Sequence, residues 1–282
     1  QAGRNVTTGI QNTFLGALAG DALTDADYNV AIGTSALGAD TLGSRAVAIG
    51  RNALIVQNFT TATNNYNVAV GYNAGSHVTT ATNSTLIGGL AGGEITTGSG
   101  NTFVGTESGD AVTIGNSNVA VGHKSLTTEV AGDRSVALGF QALALQTNST
   151  TVDVYNVGVG YNAGYSITTG KQNTLIGGLA GDALQDADFN VAIGYSALTS
   201  DTLGNRSVAI GYEALENQNF TTATTAYNAA MGYNAGKNVT TGVNNVLIGG
   251  LAGDALQAAS DNTAVGYNAL GAETGAQNNV AI

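Results

Sequence analysis

The sequence predicts an all-β protein: a parallel β-roll (β-solenoid) of about 16 stacked coils, with about 17 residues in most coils and about 21 residues in three. Three observations support this fold class. A glycine recurs at a fixed spacing along the whole chain, an aliphatic residue always precedes it, and the residues around it favour strand over helix. A unit of this length is too small to fold alone, so its stability must come from stacking on neighbouring units.

The repeat is marked by phrases such as Asn190-Val191-Ala192-Ile193-Gly194. Its glycine, called position 0 below, occurs at fifteen places: Gly16, Gly33, Gly50, Gly71, Gly88, Gly105, Gly122, Gly139, Gly160, Gly177, Gly194, Gly211, Gly232, Gly249 and Gly266. The chain stops at Ile282, one residue before the next glycine is due. We therefore expect residues 1–282 to form a single array that is a fragment of a longer fibre.

The three residues before each glycine have the pattern of a strand that is apolar on both faces. Position −1 is always aliphatic and position −3 is almost always Val or Thr, so these two positions share one face. We expect that face to fill the coil interior and the apolar position −2, mostly Ala, to point outward. An outward apolar row requires a second surface, which predicts contact between subunits.

Two further positions carry structural signals. Position −4 is Asn in twelve of sixteen units, and stacked Asn residues can form an amide ladder. The invariant glycine fits a corner that needs positive φ or a close backbone approach. Position +3 is always Ala or Ser and position +4 is only Gly or Leu, from which we predict a second short strand after the corner.

Composition restricts the partners. The formal net charge is −11 and only eight residues are Lys or Arg, so a nucleic-acid partner is not expected. No apolar run is long enough to span a bilayer, which argues against membrane insertion by this segment. Cysteine is absent, so packing and backbone hydrogen bonds must hold the fold together.

The sequence contains no clear pattern of catalytic, metal-binding or cofactor-binding residues. We therefore expect no catalytic residue, no metal site and no cofactor. The only histidines, His77 and His123, lie in different units. Acidic residues cluster in two equivalent returns, Asp21, Asp25, Asp27 and Asp182, Asp186, Asp188, but their spacing matches no calcium loop. Three acid–base pairs lie five residues apart and are interpreted as exposed ion pairs: Asp40 with Arg45, Glu129 with Arg134, and Asp201 with Arg206.

Aromatic residues and insertions give the candidate binding surface. Position +1 carries Tyr72, Tyr161, Tyr195, Tyr212, Tyr233 and Tyr267, with Phe140 and His123 in the same row. The three long coils hold extra residues in their returns, and insertions in a solenoid map to loops that often bind ligands. In two of these loops we select Phe59, Thr60, Thr61, Phe220, Thr221 and Thr222, with each Phe a candidate exposed anchor. The alternatives are that the tyrosines pack over the corner or a subunit seam, and that each Phe packs onto the roll.

The phrases Ser207-Val208-Ala209-Ile210-Gly211, Asn190-Val191-Ala192-Ile193-Gly194 and Asn262-Thr263-Ala264-Val265-Gly266-Tyr267-Asn268-Ala269-Leu270 resemble the head repeats of YadA-like trimeric autotransporter adhesins and related repeats of bacteriophage tail fibres. The resemblance runs along essentially the whole chain, although the units here are longer than in a typical adhesin head. It implies a left-handed parallel β-roll, a side-by-side homotrimer and a non-enzymatic binding role.

The leading functional hypothesis is therefore a non-enzymatic, extracellular fibre segment on a bacterial surface or a virion, acting in adhesion or host attachment. Its partners would be itself, as a homotrimer, and a cell-surface glycan or protein receptor. The alternatives are a purely structural shaft or spacer and a polysaccharide-degrading enzyme of the tailspike type. An ice-binding surface would need Thr at the same place in every coil, and the Thr-Thr pairs do not recur in this way.

Overall fold

The computed structural model describes residues 1–282 as an all-β chain of 22 short strands without any helix. The chain divides into two compact units. Unit 1 comprises Gln1–Ser135 and Thr147–Asp153, and unit 2 comprises Val136–Gln146 and Val154–Ile282. In both units the strands pair only in parallel, and the chain is a parallel β-solenoid of about 16 turns, as predicted. The left-handed sense of the coil stays a prediction.

The strands of unit 1 are β1 Thr13–Leu15, β2 Val30–Ile32, β3 Gly43–Ser44, β4 Val47–Ile49, β5 Thr63–Asn64, β6 Val68–Val70, β7 Thr85–Ile87, β8 Thr102–Val104, β9 Val119–Val121, β10 Gly132–Asp133 and β12 Val152–Asp153. The main sheet of this unit has the order β1-β2-β4-β6-β7-β8-β9. Its register pairs equivalent positions of successive coils, for example Ala31 with Ala48. Two smaller parallel pairs, β3–β5 and β10–β12, each join a long coil to the coil before it.

The strands of unit 2 are β11 Val136–Leu138, β13 Val157–Val159, β14 Thr174–Ile176, β15 Val191–Ile193, β16 Gly204–Asn205, β17 Val208–Ile210, β18 Thr224–Thr225, β19 Ala229–Met231, β20 Val246–Ile248, β21 Thr263–Val265 and β22 Val280–Ala281. The main sheet has the order β11-β13-β14-β15-β17-β19-β20-β21-β22. A two-stranded pair, β16–β18, again accompanies the long coil of this unit.

The predicted orientation of the strands is wrong. In β15 the middle residue Ala192 is fully buried, whereas Val191 and Ile193 are half-buried on the other face. The same pattern holds in most strands, so position −2 fills the interior, and positions −3 and −1 point outward. Because the strand is apolar on both faces, alternation alone did not decide which face is interior.

The interior explains why position −2 varies in size. Where it is large, as at Leu175, the nearby +4 positions are glycines whose missing side chains leave the required space. A Cβ added at Gly164 would lie 2.7 Å from Leu175 Cδ1, and one at Gly181 would lie 2.8 Å from Leu175 Cδ2. Where position +4 is Leu, as at Leu198, that side chain is itself fully buried. Small and large residues therefore alternate to fill a narrow core.

The corner glycine is required, as predicted, both for its positive φ and for the close approach of the neighbouring backbone. Gly33 has φ of 128°, a conformation that L-residues rarely adopt. A Cβ at Gly33 would lie 2.5 Å from the carbonyl oxygen of Gly50 in the next coil. The glycines of successive coils thus stack directly on one another.

No second strand follows the corner, contrary to our prediction. These residues form turns, because positions +2 and +4 are both left-handed: Ser35 has φ of 58° and Leu37 has φ of 51°. The small residue at +3, such as Ala36, is fully buried, as its size suggested.

The predicted amide ladder at position −4 is confirmed. The Asn190 Nδ2 group donates to Gly204 O at 2.8 Å, and Asn190 Oδ1 accepts from the backbone N–H of Ser207 at 2.9 Å. The N–H of Asn190 in turn donates to Asn173 Oδ1 at 2.9 Å. Each buried Asn therefore links its own coil to both neighbours, which satisfies polar groups that the narrow core would otherwise leave unpaired.

Candidate functional site

Two outward rows of side chains, one aliphatic and one mostly of Val and Thr, form the first candidate surface. We call positions −3 and −1 of the main sheets the outer rows. Within unit 2, Ile176 is 38% exposed, Met231 is 47% exposed and Ile248 is 40% exposed. Scattered apolar residues are normal on a surface, but continuous rows along a sheet indicate an interaction site.

The tyrosine row forms the second candidate surface, and its members in unit 2 are exposed. Tyr195 stacks on Tyr212 with ring centroids 5.6 Å apart, and Tyr212 stacks on Tyr233 at 5.4 Å. Tyr161 stacks on Phe140 at 5.5 Å. The parallel register places position +1 of successive coils side by side, which explains the stacking.

The row is interrupted by glycine at two places in unit 2, Gly178 and Gly250. A Cβ added at Gly178 would lie 3.5 Å from Tyr195 Cδ2, and one at Gly250 would lie 3.5 Å from Tyr267 Cδ2. Tyr161 stacks on Phe140 and has no side chain beside it at Gly178. These gaps expose ring faces that an unbroken stack would cover.

Charged groups surround the middle of the row. Lys237 forms ion pairs with Glu213 and with Glu216, the latter at 3.0 Å. The hydrogen bond from Lys237 lowers the pKa of Glu213, and the hydrogen bond between Glu213 and Tyr212 raises the pKa of Tyr212. The Tyr212 ring is thereby tethered at its polar end. In unit 1, Arg51 lies over the ring of Tyr72 at 5.7 Å.

The long loops differ from our expectation at the Phe positions. Phe59 is only 7% exposed and Phe220 only 6% exposed, so neither ring is an exposed anchor. Both pack onto the roll: a Cβ at Gly43 would lie 2.8 Å from Phe59 Cδ2, and one at Gly204 would lie 2.8 Å from Phe220 Cδ2. The four selected threonines that follow, Thr60, Thr61, Thr221 and Thr222, are exposed.

The three predicted surface ion pairs are wrong, because Asp40, Glu129 and Asp201 are all fully buried. Asp201 Oδ1 accepts from the backbone N–H groups of Gly204 and Phe220, both at 3.0 Å, and Asp201 Oδ2 accepts from Gln218 Nε2 at 2.6 Å.

Buried carboxylates at the equivalent position accept hydrogen bonds in the other two long loops. Asp40 binds the equivalent groups of Gly43, Phe59 and Gln57. Glu129 accepts from Asn148 N and from Asn148 Nδ2. Burial is the largest cause of the raised pKa of Asp40 and of Asp201. These carboxylates anchor the long loops and are not available to a ligand.

Two clusters that the sequence analysis missed are centred on position −5. We call Tyr28, Arg45, Asn64 and Tyr66 the unit 1 arginine cluster. The Arg45 guanidinium carbon lies 4.9 Å from the ring centroid of Tyr28 and 5.8 Å from that of Tyr66. The Arg45 Nε group donates to Asn64 Oδ1 at 3.0 Å. All four side chains are exposed.

The unit 2 arginine cluster consists of the equivalent residues Phe189, Arg206, Thr225 and Tyr227, which are also exposed. The Arg206 guanidinium carbon lies 4.8 Å from the ring centroid of Phe189. The sequence contained the signal for these clusters, since an aromatic residue, an arginine and a second aromatic residue occupy the same position of three successive coils.

Neither a metal site nor a membrane-spanning helix emerges from the structure. It contains no group of three or more His, Asp or Glu side chains that could hold a metal ion. No helix has the length and apolar character that a membrane crossing requires.

Comparison with known proteins identifies the repeat. The family model described as YadA head domain repeat matches the chain in two copies, at residues 131–150 and 191–214. These two segments are similar to the YadA head domain repeat. The predicted resemblance is thus confirmed. Among curated proteins and among solved structures, nothing matches the chain.

Proposed function

We propose that this chain is a non-enzymatic segment of a homotrimeric fibre at a bacterial or virion surface, where it acts in adhesion or host attachment. One observation carries the proposal: the main sheets bury Ala, Leu and Phe inward and still present a continuous aliphatic row at position −1 outward, beside a row mostly of Val and Thr at position −3. The YadA head repeats at residues 131–150 and 191–214 support the same assembly.

The outer rows provide the contact between chains. Burying them in a side-by-side trimer would remove aliphatic side chains of successive coils from water, and apolar burial is the dominant favourable term in association. Ala192 lies in the core and cannot form the contact between chains that the sequence predicted for position −2. Val191 and Ile193 point outward instead, and their larger side chains bury more apolar surface than Ala192 would.

Sedimentation equilibrium tests the trimer. The variant Ile193→Asp places a charge in an outer row without entering the coil core, so we expect dissociation to single chains with retained β-sheet circular dichroism. Gln185→Glu, an exposed position that also gains one negative charge, is the control and should remain trimeric. A wild-type protein that sediments as a folded single chain at all concentrations would contradict the proposal.

The tyrosine row supplies the adhesive surface. Tyrosine combines an apolar ring face with a polar hydroxyl, and this suits recognition of sugar rings or of protein. The free ring faces beside Gly178 and Gly250 can each stack on one ring of a glycan. The threonines of the long loops add exposed hydroxyl groups, although the buried Phe59 and Phe220 only position their loops.

A glycan array together with a panel of host-surface proteins tests adhesion. We expect the wild-type trimer to bind at least one member, and Tyr161→Ala with Tyr195→Ala to remove that binding. Thr34→Ala, at the same coil position in unit 1, should leave binding unchanged. Lack of any binding by the folded trimer would favour a purely structural shaft, and release of reducing sugar from a bound glycan would favour the enzyme alternative.

A further inference from the structure

The two arginine clusters carry guanidinium groups without a carboxylate partner. Apart from the Nε bond to Asn64, no acceptor binds the Arg45 side chain, and no acidic group lies within ion-pair distance of Arg45 or Arg206. In a chain with a net charge of −11 and eight basic residues, this is unexpected. The free donors point to a ligand that the protein does not itself supply.

The aromatic rings hold these guanidinium groups in place. Arg45 lies between Tyr28 and Tyr66, and Arg206 lies over Phe189. A guanidinium group that stacks on a ring keeps its planar fork of N–H donors, and that fork matches a carboxylate in two parallel hydrogen bonds. Less side-chain entropy is then lost when a ligand binds, because the fork is already oriented.

A third arginine of the same kind shows which group fits the fork. Arg134 occupies the position that Arg45 and Arg206 occupy, and it forms an ion pair with Asp153. The strand register makes Asp153 equivalent to Asn64, since β10 pairs with β12 as β3 pairs with β5.

In unit 2 the register of β16 and β18 places Thr225 at that position. The chain therefore supplies its own carboxylate to one arginine and a neutral residue, Asn64 or Thr225, to the other two.

We propose that the unit 1 and unit 2 arginine clusters are binding sites for the carboxylate of an acidic sugar, with the exposed edges of the flanking aromatic rings contacting the sugar ring. The ligand class is a uronic acid or another carboxylated glycan. This deepens the adhesion proposed above and rests on it, but the residues are separate from the tyrosine row.

The acidic residues nearest in sequence are engaged elsewhere. Asp27 Oδ1 accepts from the backbone N–H of Ile10 at 2.8 Å, and Asp188 Oδ1 accepts from that of Lys171 at 2.7 Å. Their negative charge still opposes an anionic ligand at long range. Salt screens this long-range repulsion more than it screens the short-range pairing between the guanidinium group and the carboxylate. The binding measurements are therefore made at about 0.15 M ionic strength.

The experiment measures binding of trigalacturonic acid to the full chain by titration calorimetry, with its methyl ester as the neutral probe. We expect two sites per chain for the acid and at least tenfold weaker binding of the ester, because hydrogen bonds to charged groups contribute about that much. Arg45→Gln with Arg206→Gln should abolish binding of the acid. Equal binding of acid and ester, or full binding by the double variant, would overturn the proposal.

A second pair of variants tests the role assigned to Asp153. Asn64→Asp with Thr225→Asp should give each arginine an internal carboxylate and block both sites, whereas Asn64→Ser with Thr225→Ser should leave them open. Both pairs lie at exposed positions, so folding is retained. The variant Tyr161→Ala with Tyr195→Ala should bind trigalacturonic acid normally. Loss of glycan-array binding in that variant, with trigalacturonic acid binding intact, separates the two surfaces.

Discussion

Replacing Leu175 by alanine tests the corrected strand orientation most directly. Leu175 is fully buried, and its neighbours in the sheet are small: Gly158 on one side and Ala192 on the other. Its two methyl groups occupy the space that Gly164 and Gly181 leave open. The parallel backbone cannot collapse into the resulting cavity without breaking its hydrogen bonds.

Leu-to-Ala substitutions in cores cost about 2–5 kcal/mol, and the cost rises with the volume of the cavity that remains. Since the backbone at this site is held by its hydrogen bonds, we expect Leu175→Ala to lower the free energy of unfolding by about 3–5 kcal/mol. The assay is urea unfolding followed by far-ultraviolet circular dichroism, with the slope of the transition compared with that of the wild type to check that cooperativity is retained.

Ile176→Ala is the matched control, because it removes an aliphatic side chain from the next residue of the same strand. Ile176 is 38% exposed on the outward face, so in single chains its loss should cost about 1 kcal/mol or less. Both variants are measured at a concentration where sedimentation shows single chains. A larger loss for Ile176→Ala than for Leu175→Ala under these conditions would refute the orientation described here.

Three further outcomes are expected. Gly194→Ala should lower the melting temperature strongly, because φ at this residue is 134° and the new Cβ would clash with Gly211 O. Gly178→Ala is the control and should be tolerated, because the nearest atom to its new Cβ would lie 3.5 Å away. Equal melting temperatures for the two variants would contradict this expectation. Asn190→Ala should cost about 1–3 kcal/mol for each of its two lost partners in urea unfolding. Burial raises the pKa of the Asp201 carboxyl above 3.8, so the folded state binds the carboxyl proton more tightly than the unfolded state does. The free energy of unfolding should therefore fall as pH rises from about 4 through the raised pKa. Asp201→Asn should lose that component of the pH dependence, and an unchanged slope would refute it.

The fold was predictable because its signals are local and repeated. An invariant glycine, an Asn four residues before it and an aliphatic residue next to it define the coil, and the structure confirms the corner and the amide ladder. The direction of the strand was not predictable from the same pattern. Both faces of Val191-Ala192-Ile193 are apolar, so the pattern of these three residues does not show which face lies inside the coil.

The polar core and the candidate sites were harder to predict. Asp201 and Arg206 are five residues apart and suggest a surface pair, but the carboxylate instead turns inward to bind groups of Gln218 and Phe220, which are distant in sequence. The arginine clusters depend on contacts between successive coils, as between Arg45 and Tyr28. Such contacts become visible only when the coils are aligned in register.

The hydrogen bonds of the amide ladder have a mechanical consequence. The bonds made by Asn190 run from coil to coil, so a force that separates neighbouring coils acts along them. Such a force breaks the contacts of one coil at a time, so the coils separate from the solenoid one after another. Each shorter coil then releases about 56–61 Å of extended chain, and each long coil releases about 69–76 Å. A segment of this kind lengthens in steps under tension and absorbs work at each step.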